Sequence, residues 1–126
     1  VPVEKGTEHS ALNDEDRRTL SARIEGLRAN KKNKGMILLS FPGDEEKMGG
    51  CLAAGRGFFH INATGGAEPC PFSPYSEMNL KKQSLLTVLK SSFFAKVREI
   101  SEAEAVNHKG GCTLFQYEKE VTHALN

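Results

Sequence analysis

The sequence predicts an α+β fold: an N-terminal αβ unit, then a β-hairpin and short helices around a cysteine-lined site. Three observations carry this. A helical apolar stripe in the first thirty residues precedes a continuous apolar run at Met36–Phe41. Composition shifts at Pro42: seven of the twelve glycines lie between Gly43 and Gly66, and three of the five prolines between Pro69 and Pro74. Helical spacing then returns after Leu80. The shift divides the chain into 1–42 and 43–126.

Asn13 is placed to cap the first helix, with Asp14, Glu15 and Asp16 in the first turn, where the helix dipole favours anions. Leu20, Ile24 and Leu27 form one apolar stripe, and Gly35 is the expected stop. Arg28, Lys31, Lys32 and Lys34 crowd the far end, as expected of a solvated helix C-terminus. The run Met36–Phe41 suits a strand buried on both faces, as in a parallel sheet. The hairpin follows from the β-formers of Gly57–Asn62, a turn at Ala63–Gly66 and a return strand at Ala67–Cys70. Pro69 and Pro71 hold Cys70 on a loop, because each proline fixes φ and lacks a donor. Ser84 and Ser91 or Ser92 are expected to cap two short helices, with a third at Ser101–Val106. Periodicity leaves the tail, Leu114–Leu125, open between strand and helix. Phe58, Phe59, Phe72, Phe93 and Phe94 are the expected small core.

The 126 residues suffice for about one domain. Seventeen basic and sixteen acidic side chains lack the basic excess of a nucleic-acid module. No apolar run approaches the roughly 20 residues of a membrane span. The N-terminus shows no signal-peptide pattern and begins at Val1, so an excised piece of a longer cytoplasmic protein is expected.

Cys51, Cys70 and Cys112 are an odd set, which favours a reducing compartment over a disulfide scaffold. Each sits at a glycine- or proline-defined bend: Gly49-Gly50 precedes Cys51, prolines flank Cys70, and Gly110-Gly111 precedes Cys112. Glycines beside thiolate ligands let the backbone approach a bulky centre. The spacings, eighteen and forty-one intervening residues, are too wide for a zinc-finger knuckle. His60 and His108 are the nearest non-cysteine donors. A structural Cys3His zinc module and a metal-free domain with buried thiols are the competing readings. Arg56 is a candidate to offset cluster charge, or to pair with Glu68 across the hairpin.

The words between the cysteines are more specific. Cys51-x3-Gly55-Arg56, His60-Ile61-Asn62-x2-Gly65 and Glu68-Pro69-Cys70-Pro71-Phe72, followed by Asn79-Leu80, Ser84-Leu85, Ser92-Phe93-Phe94 and Gly110-Gly111-Cys112, form one ordered set. Over about Gly49–Phe115 this set resembles the C-terminal auxiliary iron–sulfur domains, SPASM or twitch, of radical S-adenosylmethionine enzymes. The resemblance implies that residues 1–42 close the enzyme's partial α/β barrel. It also implies that Cys51, Cys70 and Cys112 hold one auxiliary cluster, [4Fe–4S], with Arg56 beside it and His108 or His60 as a candidate fourth ligand. Such a cluster would serve electron transfer or substrate positioning. The family's catalytic C-x3-C-x2-C triplet is absent, so the chain is expected to be non-catalytic alone, with S-adenosylmethionine and its cluster belonging to an upstream domain. The implied partners are that upstream barrel and a peptide or small-molecule substrate, with no nucleic acid and no membrane. Fragments are expected to pair through the exposed Met36–Phe41 strand.

Overall fold

The computed structural model describes residues 6, 8–10, 12–40, 44–45, 47–105 and 112–125. Its first long element is α1, Asp14–Ala29, capped as expected by Asn13, whose side chain accepts from the Asp16 N–H at 2.9 Å. The helix ends before Gly35. Asn30 turns extended, and its side chain caps a short 3-10 turn at Lys31–Asn33. No α1 residue is fully buried, and Leu20 and Leu27 stay exposed.

The expected Met36–Phe41 strand does not form over residues 36–40, and Phe41 lies outside the described residues. Met36, Ile37 and Leu39 stand in solvent, Ile37 at 86% exposure. A run that is apolar on both faces needs strand neighbours and covering helices, and none of the described strands pairs with it. What holds this segment is Arg28. Its guanidinium donates to the Leu38 carbonyl at 2.7 and 3.2 Å and to both oxygens of Asp44 at 2.9 and 2.8 Å. Asp44 also accepts from the Ser40 N–H, and Glu25 bridges Arg28 and Lys47.

The Arg28 hydrogen bond, then that of Ser40, holds the Asp44 carboxyl at about 2. A depressed carboxyl stabilises the fold above its ordinary value near 4 and loses that contribution as pH falls towards 2. Protonation at low pH, or Asp44→Asn at neutral pH, is therefore expected to loosen α1 while sparing the core. Amide hydrogen exchange checks this: α1 amides should exchange faster in the variant, with those of the later helices unchanged. Equal protection of α1 in parent and variant would count against the clamp.

The hairpin forms as expected, from β1, His60–Ile61, and β2, Gly66–Glu68, with His60 opposite Glu68 and Ile61 opposite Ala67. An unexpected third strand, β3, Met78–Asn79, pairs antiparallel with β2 and places β2 in the centre. Ser84 caps α2, Leu85–Leu89, and Ser91 caps α3, Ser92–Ala103. The separate helix expected from Ser101 merges into α3, because the Ser101 hydroxyl bonds back to the Val97 carbonyl at 2.9 Å without breaking the turn. The tail is helical: α4, Thr113–Gln116, and α5, Glu118–His123.

Phe93, Phe94, Val97, Val88, Leu114 and Val121 form the core with Ala53, Ala54, Ala67, Cys51 and Cys70. Phe59 meets Phe94 edge to face, with ring centres 5.8 Å apart. Phe58 and Phe59 are partly buried against this core, but Phe72 is 61% exposed and does not belong to it. The proline-bounded turn that carries Phe72 points its ring away. Among the described residues, no helix is long and apolar enough to cross a membrane.

Candidate metal centre

Three separated pieces of chain bring the cysteines to one core. Cys51 lies on the loop after Gly49-Gly50, Cys70 on the turn after β2, and Cys112 directly before α4. Cys51 and Cys70 are buried members of the core cluster, and Cys112 packs against it. All three thiols are free. Burial pushes each thiol up, Cys51 to about 12. Mutual repulsion adds to this, because Cys51 feels Cys70 and Cys112, and Cys70 feels Cys112. At neutral pH the thiols are therefore protonated, and metal loading must displace their protons.

Glu45 also raises all three thiols. It is a buried carboxylate within the loop that leads to Cys51, and its backbone carbonyl accepts from the Gly50 N–H at 2.8 Å. Sequence reading missed it, because Asp44-Glu45-Glu46-Lys47 has the composition of a solvated turn.

Arg56 folds back on the Cys51 loop. It donates to the carbonyls of Met48, Gly49 and Cys51 at 3.0–3.2 Å and approaches Glu102 at 4.0 Å. The expected Arg56–Glu68 pair does not form. Glu68 instead takes His60 Nδ1 at 2.8 Å and the Asn62 amide at 2.7 Å, and the His60 bond is the main cause of its lowered carboxyl. Asn62 further accepts from the N–H groups of Thr64 and Gly66, while Asn79 bonds the Thr64 carbonyl. The motif residues His60, Asn62, Glu68 and Asn79 thus frame the hairpin that delivers Cys70. His108 lies outside the described residues.

Among the described residues, no group of three or more His, Cys, Asp or Glu side chains is gathered tightly enough to hold a metal ion. A single zinc needs four donors within about 2.0–2.3 Å of one point, and His60 is engaged with Glu68. A cluster makes a different demand: each iron takes its own thiolate, so the sulfurs are spread around a cube. Three thiols converging on one apolar neighbourhood fit that donor set.

Comparison of the chain with protein-family models, with curated proteins and with solved structures gave no match.

Proposed function

We propose that the chain is an auxiliary iron–sulfur domain of the SPASM or twitch type, working beside a radical S-adenosylmethionine barrel supplied by an upstream part of the same protein. The observation that carries this is the convergence of Cys51, Cys70 and Cys112, from three separate segments, on one buried core. The ordered motif words around them supply the family. The exposed apolar side chains of Met36, Ile37 and Leu39 are the kind of surface that the rest of a barrel would cover.

In this reading Cys51, Cys70 and Cys112 hold one [4Fe–4S] cluster. When bound, such a cluster carries single electrons or offers an open iron to a substrate. The protein's part is to hold the thiols in place. Arg56 ties the Cys51 loop through three carbonyls, the hydrogen-bonded hairpin presents Cys70, and Phe94 with Val97 and Leu114 excludes water. Glu45 is the acidic neighbour of all three thiols and the candidate for the iron that cysteine leaves unligated. The substrate, peptide or small molecule, would be chosen by the barrel.

Anaerobic reconstitution with iron and sulfide tests this directly. The parent is expected to take up about four irons per chain, and Cys51→Ala, Cys70→Ala and Cys112→Ala should each lose them. Stoichiometric zinc with no iron uptake would instead establish a structural zinc module. Uptake of neither metal, even with the barrel restored, would leave a metal-free scaffold.

A further inference from the structure

Buried hydroxyls in this fold find partners. Ser101, in α3, bonds the Val97 carbonyl, and Ser91 accepts from the Phe94 N–H. Ser73 does not. Its residue is 2% exposed, and its Oγ is the one buried side-chain nitrogen or oxygen among the described residues without a hydrogen-bond partner. Natural cores rarely leave such a group orphaned, and an unexplained one often marks a ligand's position.

Its place in the fold says which ligand. Ser73 closes the turn that begins at Cys70: its N–H donates to the Cys70 carbonyl at 3.0 Å, and its own carbonyl accepts from the Tyr75 N–H at 2.8 Å. The backbone of Ser73 is therefore satisfied on both sides, and only the side chain is left over. Cys70 and Ser73 also form an antiparallel bridge. Directly opposed residues in such a pair project their side chains from the same face. The orphan hydroxyl and the Cys70 thiol thus leave the turn on one side, yet they are not bonded to each other. A hydroxyl has one proton to give, and a thiolate or sulfide is an anionic acceptor.

Resting on the iron–sulfur reading above, we infer that Ser73 is a positioning residue of the cluster pocket, whose Oγ donates a hydrogen bond to an anionic sulfur of the centre held at Cys70. A donor to a cluster sulfur stabilises the reduced, more negative state and raises the reduction potential. The same hydroxyl is a liability in the metal-free chain, where it is buried without a partner.

The test compares the parent, Ser73→Ala and Ser73→Thr, each with and without iron and sulfide. Metal-free Ser73→Ala should melt at or above the parent's temperature. Loaded Ser73→Ala should hold the parent's iron and be about tenfold harder to reduce, ~59 mV for one electron. Ser73→Thr, which keeps the hydroxyl, should return the potential towards the parent's. An unchanged potential at full iron content would overturn this inference and leave the cluster standing. Loss of iron in Ser73→Ala would make the residue a ligand, which also overturns it. A metal-free Ser73→Ala less stable than the parent would give the hydroxyl a purely structural role. A parent that takes up no iron would remove the cluster reading itself.

Discussion

Replacing Gly50 by Ala is expected to destabilise the chain by at least ~2 kcal/mol, in the upper range for single substitutions. Gly50 has φ +104°, a region that residues with a Cβ enter only with strain. An added Cβ would lie 2.6 Å from the Ser101 carbonyl oxygen and 3.1 Å from the Ala105 Cβ. Backbone blocks it on the closest side, so either the Cys51 loop or the end of α3 must shift. Gly26, in the middle of α1 with open space around it, is the matched control. There Ala should increase helicity, by up to ~1 kcal/mol of propensity. Urea unfolding and circular dichroism check both. A Gly50→Ala chain as stable as the parent would show that the loop does not approach α3 this closely.

Phe94→Ala is expected to cost ~3–5 kcal/mol, the range for deleting a buried aromatic ring. Against a total of about 5–15 kcal/mol for a small domain, that is enough to loosen the whole core. Phe94 is 1% exposed and touches both Phe59 and Phe93 at ring-contact distances. It belongs to the same core as Cys51 and Cys70. The change should therefore register twice: in the unfolding midpoint, and in faster reaction of the thiols with an aromatic disulfide at neutral pH. Thiols in the parent should react slowly, since burial withholds the thiolate that reacts. Destabilisation without any gain in thiol reactivity would separate the core from the cysteine site.

How much of this was legible in the sequence depends on the range of the forces involved. Local chemistry was readable. The caps at Asn13, Ser84 and Ser91 are side chains that bond a backbone N–H three residues on, and each is found. The hairpin was readable because its turn residues announce it. The continuous helix through Ser101 was not, since a serine that back-bonds within a helix looks like one that starts a helix. β3 was not, because two residues give no period and owe their conformation to β2. The run at 36–40 misled, since apolar composition states what a segment needs rather than whether its partners are present. At the site, the cysteines were identifiable by type. Glu45 and Ser73 were not, because each matters through burial, which only the fold decides.

The join between α1 and the rest has a consequence for how reversibly it opens. The buried hydrophobic residues all lie between Cys51 and Val121, so α1 is held by exposed polar contacts such as the pair of Arg28 with Asp44, sixteen positions apart. An exposed ion pair between separate molecules is worth only about 0–1 kcal/mol and would hardly persist at ordinary concentrations. On one chain the two charges meet at an effective concentration in the ~mM range, set by the tether. Reclosing is then a first-order event, indifferent to dilution. Salt can widen the time that the helix spends detached, but a competing peptide at micromolar levels cannot take its place.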